Sequence, residues 1–121
     1  MDFNKYENRL EYPRTPQKPH LYPDASPEQA RQHADSLKQY DIDMSKWHKV
    51  INAYREEQNR LMALFRQDAL AAVGLAEYSK RNAVFNYAWK KNRGYDLQTV
   101  FGALCELAGL IEIVGPALTG S

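Results

Sequence analysis

Three histidines, a single cysteine and one basic, aromatic run are the parts of this sequence whose side chains offer chemistry beyond packing. His20, His33 and His48 have no metal-ligand spacing, and no His-Glu-x-x-His occurs. One cysteine cannot build a zinc site, so no metal is expected. As a nucleophile Cys105 would need a histidine base. The last histidine is His48, and Cys105 lies in an apolar helical stretch, so the sequence assigns it to the core as a small side chain. Glu56 and Glu57 are adjacent, point in different directions on a helix and read as solvated. No serine sits in a nucleophile elbow, and the six glycines are scattered instead of forming a phosphate loop. The sequence therefore predicts neither an enzyme nor a bound cofactor.

The remaining chemistry is electrostatic. Between Tyr78 and Tyr95 stand five bases and no acid, interleaved with aromatic rings. Lys80, Arg81, Trp89, Lys90, Lys91 and Arg93 are the candidate contacts for an anion or a nucleic acid, since cations hold phosphates and rings stack on bases. A competing account treats the run as a solvated helix end, where Lys90, Lys91 and Arg93 favour the helix dipole. From Asp96 onward the balance reverses, with three acids and no base, so the next helix is a possible partner for these cations. That helix also has no side chain to read DNA, which argues against a helix-turn-helix centred on Gly94. Sixteen Lys and Arg against fifteen Asp and Glu exclude both a globally basic nucleic-acid binder and an acidic DNA mimic.

Helices must position these groups, and the chain reads as all-α. Ser26-Pro27-Glu28-Gln29 is a capping box with proline at the first helical position. From there to Gly74 there is neither glycine nor a further proline. Leu37, Tyr40, Met44, Trp47, Ile51, Tyr54, Gln58, Leu61 and Phe65 follow one another at steps of three and four, and all but Gln58 are apolar or aromatic. This coiled-coil-like seam predicts one long amphipathic helix over about 27–72, unbroken at Asp41-Ile42-Asp43. Gly74 ends it. A second helix is expected over 79–93, with Ala83, Val84, Tyr87 and Ala88 inward and Gly94 as its stop. Asp96 caps a third over 97–114, with Leu97, Val100, Phe101, Leu104, Leu107, Ala108 and Ile111 inward, and Gly115-Pro116 closes it.

Residues 1–26 form a proline-rich extended segment, 27–114 the helical domain and 115–121 a loose C-terminal tail. Pro13, Pro16 and Pro19 are three apart, one turn of polyproline II, so their rings line one edge. Tyr40, Trp47 and Tyr54 are one heptad apart on the helix. If the chain folds back at Ser26, Pro16 and Trp47 both fall about 31 Å from the turn. The expected ladder is then Pro19 with Tyr40, Pro16 with Trp47 and Pro13 with Tyr54.

Over residues 12–54 the sequence resembles, in packing geometry alone, the polyproline-helix hairpin of the pancreatic polypeptide hormones. The layout Tyr12-Pro13-x-x-Pro16-x-x-Pro19, then Glu57-Gln58-Asn59-Arg60-Leu61 and Phe65-Arg66-Gln67-Asp68, resembles small uncharacterised proteins encoded by bacteriophages and prophages. That resemblance implies an accessory factor that binds and modulates a host protein.

The functional expectation is a non-enzymatic interaction protein, with nucleic-acid binding through 78–95 as the alternative. A homodimer is expected as well, because the two short helices cannot cover the whole seam. The apolar stretch from Leu97 to Leu118 is interrupted by Gln98, Glu106, Glu112, Gly115 and Pro116, so no membrane span is expected. With neither a paired cysteine nor an apolar leader, the expected location is the cytoplasm, the host's if the protein is phage-encoded.

Overall fold

A computed structural model describes residues 1–92 and 96–118, with side chains as far as Ile111. A 3-10 turn, Phe3–Tyr6, precedes three helices: α1 (Pro27–Ala72), α2 (Arg81–Lys91) and α3 (Leu97–Leu118). No strand occurs among the described residues.

The long helix is continuous. At its start Gln29 donates its backbone N–H to Ser26 Oγ at 3.1 Å, and Ser26 donates its own to Gln29 Oε1 at 2.8 Å. Each side chain satisfies a backbone donor that the first helical turn leaves unpaired. At the predicted weak point the Gln39 amide donates to Asp43 Oδ1 at 2.9 Å, a one-turn bridge along the helix surface. At the far end Gly74 adopts φ +76, Leu75 N–H donates to Leu70 O at 2.8 Å and Gly74 N–H to Ala71 O at 3.1 Å. Both bonds together make a Schellman motif, closed by the buried pair Leu70 and Leu75.

The chain divides into two compact units, one of residues 8–59 and one of 1–7 with 60–121, so α1 contributes to both. In the first unit the tail is extended and lies antiparallel on α1. Trp47 Nε1–H donates to Pro13 O at 3.4 Å, and His33 Nε2 lies 3.3 Å from Pro19 O. Asn8 Nδ2 donates to Tyr54 O at 3.2 Å, and the ring of Tyr12 meets Tyr54 edge-on at 5.1 Å. Pro13, Pro16 and Pro19 are each half-buried while the residues between them are exposed, as one edge turned to the helix requires.

The register differs from the expected one by a heptad. Pro19 meets His33 instead of Tyr40, and Pro13 meets Trp47 instead of Tyr54. The cause is the turn at Tyr22–Ala25, closed by Ala25 N–H to Tyr22 O at 3.1 Å. It consumes chain that an immediate reversal at Ser26 would have left extended. The spacing along the ladder survives: Pro13 to Pro19 spans about 19 Å of extended chain, and His33 to Trp47 about 21 Å of helix.

In the second unit Phe65, Ala69 and Leu70 of α1 pack with Tyr6, Leu75, Phe85, Ala88, Val100 and Leu104. Asp96 caps α3 through the Thr99 backbone N–H at 2.9 Å and hydroxyl at 2.8 Å. The predicted inward stripe of α3 is buried or half-buried throughout. Four expectations change here. The described helix α2 is shorter than 79–93, ending where Asn92 donates both its backbone and its side-chain N–H to Ala88 O, whereas Gly94 lies outside the described residues. Its buried face is Phe85 and Ala88, with Ala83 and Tyr87 exposed. Cys105 is exposed, because one residue beyond buried Leu104 is a rotation of about 100° around the helix. Finally, α3 runs through Gly115-Pro116 to Leu118. A glycine before proline has no Cβ to clash with the ring, and the one hydrogen bond lost falls in the last turn.

Candidate functional site

Val84, Tyr87 and Lys91 recur at helical spacing and define one stripe of α2, which the N-cap residue Lys80 extends. Leu107, Leu110 and Ile111 of α3 face this stripe across an open apolar groove of about 370 Å³, which Tyr78 and Ala83 also line. Tyr87 is 56% exposed and Leu110 55%, high values for large apolar side chains that share one groove. The Lys91 ammonium lies 6.0 Å from the centroid of the Tyr87 ring, and Lys80 borders the groove. The groove is thus apolar along its floor, with Lys80 on its border and Lys91 over the ring of one of its wall residues, Tyr87.

The other face of α2 is occupied. Phe85 is buried, stacks on Trp89 with centroids 6.1 Å apart and carries the Arg66 guanidinium 5.5 Å from its centroid. Of the residues predicted to contact an anion, Lys80, Arg81, Trp89, Lys90 and Lys91 are all exposed, Trp89 at 40%. Arg93 lies outside the described residues. The run that is continuous in sequence spreads over several faces in space: Lys80 and Lys91 flank Tyr87, while Arg81 turns to the carbonyl of Ala76. Among the described residues no ion pair joins these cations to the acids of α3.

Titration is perturbed most where the N-terminus is pinned. Tyr6 donates its hydroxyl to Asp68 Oδ2 at 2.6 Å, and Lys5 Nζ lies 3.3 Å from the same oxygen. Burial, then the adjoining carboxylate, pushes the Tyr6 phenol up to about 12. The Tyr6 hydrogen bond, followed by Lys5, lowers Asp68. Asp96 is lowered by the backbone N–H and then the hydroxyl of Thr99. These groups hold structure. Among the described residues no cluster of His, Cys, Asp and Glu is arranged for a metal, and no helix is long and apolar enough to cross a membrane.

The sequence marks Leu110, with Ile113 and Val114, as widening the apolar stripe of α3 toward enclosure or another chain, and Leu110 is a wall of the groove. Sequence reasoning missed Arg66 as a neighbour of α2. The α2 stripe was legible from its spacing, whereas the pairing of Arg66 with α2 depends on tertiary packing. No curated protein and no solved structure matches this sequence. A family model does match residues 4–112, and the chain belongs to that family, the family of unknown function DUF8546.

Proposed function

We propose that this is a non-enzymatic interaction protein whose α2–α3 groove takes an acidic amphipathic segment of a partner protein. The observation that carries the reading is the pair Tyr87 and Leu110, both more than half exposed in one apolar groove that Lys80 borders, with Lys91 over the Tyr87 ring. An amphipathic segment would bury the apolar floor, and its acids would meet the lysines. In the setting suggested by the phage-like layout of the sequence, the partner is a host protein and the chain acts in the host cytoplasm.

The exposed Lys80, Arg81, Lys90 and Lys91, with Trp89 beside them, favour the second reading, nucleic-acid binding. Self-association over the α1 seam loses its motive. Every seam residue from Leu37 to Phe65 is already half-buried or buried within one chain. We further propose that the tail is in polyproline II. From Asn8 to Pro19 it advances about 34 Å at the rise of that conformation, the same as the helix between His33 and a point midway from Tyr54 to Gln58.

A photo-crosslinking side chain at Tyr87, with another at exposed Ile42 as control, tests the function in cells. The expected product is a protein adduct at position 87 and not at 42. Binding of that protein, once purified, should weaken with salt and be abolished by L110E. Adducts to a second copy of the chain or to nucleic acid would overturn the proposal in favour of those occupants.

A further inference from the structure

A second cleft, about 510 Å³, opens between the C-terminal part of α1 and the start of α2, away from the groove residues. Arg66 and Arg81 both line it, and both are held in place by neutral acceptors: Arg66 Nη2 donates to Asn82 Oδ1, and Arg81 Nη1 to Ala76 O. Arg66 is further fixed by its stacking on Phe85, and its Nε is buried with no acceptor. A guanidinium has five N–H donors and does not lose its charge at ordinary pH, so most of this donor capacity is unspent. Glu77 also lines the cleft but makes no ion pair with either arginine. Two positive forks line one cleft, neither paired with a carboxylate, and forks of this kind match the oxygens of an anion.

We propose that this cleft binds the phosphate group of a small phosphorylated molecule. Two forks with the amides of Gln67 and Asn82 offer more donors than the two oxygens of a carboxylate can use. A phosphate monoester brings three oxygens and a charge near −2 at neutral pH. The volume falls within the range of about 300–1,000 Å³ common for small-ligand sites, and Leu70 supplies an apolar wall for the organic part.

The test is titration of the full chain with phenyl phosphate, inorganic phosphate and acetate at fixed ionic strength, followed by calorimetry and by phosphorus NMR for the first two. Phenyl phosphate should bind best, inorganic phosphate more weakly and acetate not at all up to about 10 mM. R81Q, at an exposed position where folding is preserved, should weaken phenyl phosphate by about tenfold or more, the value of one charge-assisted hydrogen-bonded contact. R81K keeps the charge without the fork and should fall between, and K38Q, remote in sequence and exposed, should change nothing. No binding to the unaltered chain, equal binding by R81Q, or acetate binding as well as phosphate would each overturn the assignment.

Discussion

Trp47 donates its indole N–H to the backbone carbonyl of Pro13 at 3.4 Å across 34 residues of sequence. Pro13 is half-buried beside it, and Ile51, one turn further along the same helix face, is fully buried. A tail that looks loose by composition is thus held by an aromatic side chain through both packing and a hydrogen bond. Prolines reduce the entropy lost on ordering it.

Replacing Trp47 with alanine should lower stability by about 2 kcal/mol, below the figure for a fully buried tryptophan because Trp47 keeps some exposure. W47F should cost about 1 kcal/mol or less, since it keeps most of the packing and loses only the donor. Urea denaturation followed by circular dichroism separates the two. Equal stability of W47A and the unaltered protein would show that the tail is not held there.

Tyr6→Phe should destabilise by about 1.5–3 kcal/mol, the range for a hydrogen bond to a charged group. The pH dependence adds a second check. The folded phenol titrates at about 12 against 10.0 when unfolded, so the folded state binds this proton more tightly. Its contribution is complete below 10.0 and is lost as pH rises toward 12. Melting temperatures between those limits should fall more steeply for the unaltered protein than for Y6F.

Gly74→Ala should cost about 1 kcal/mol through backbone strain alone. The residue sits at φ +76, and an added Cβ would meet no atom within 4 Å. A D-alanine introduced by chemical ligation at the same position should be neutral or stabilising, because it prefers positive φ.

Asp96→Ala should lower the melting temperature by removing the cap of α3. Asp96 and Asp68 are both lowered from 3.8, so they stabilise the fold above that pH, and the benefit is lost as pH falls through their folded values. Asp96→Asn keeps an acceptor for the Thr99 N–H without the charge. Acid unfolding should therefore begin at a lower pH in D96A and D96N than their neutral-pH stabilities alone would indicate.

What the sequence made legible were features that depend on neighbours a few residues apart. The Ser26–Gln29 box, the Gly74 stop, the Asp96 cap and the seam from Leu37 to Phe65 all rest on local spacing. The tail's spacing against α1 was legible too, because the polyproline and helical repeats are fixed lengths. Its offset was not, since it depends on how much chain the Tyr22–Ala25 turn absorbs. The inward face of α2 was misread for a related reason. Val84 and Tyr87 form a good apolar stripe, but Phe85, which meets Phe65 and Arg66 of α1, and Ala88 are the residues that enter the core, and only the relative rotation of the packed helices decides between them. Cys105 shows the same limit: apolar neighbours in sequence placed it in the core, and one step of helical rotation leaves it outside.

The division of the chain has a consequence for the order of assembly. Residues 8–59 form a compact unit from contiguous sequence, whereas residues 1–7 belong with 60–121. During synthesis Tyr6 must therefore wait for Asp68, 62 residues later, or about 3–12 s at usual elongation rates. Phe3 waits longer for Phe101, whose ring it meets edge-on at 5.9 Å. The tail can settle on the first turns of α1 in that interval, holding the extreme N-terminus close to the growing helix. The first residues to leave the ribosome are then among the last to reach their final contacts.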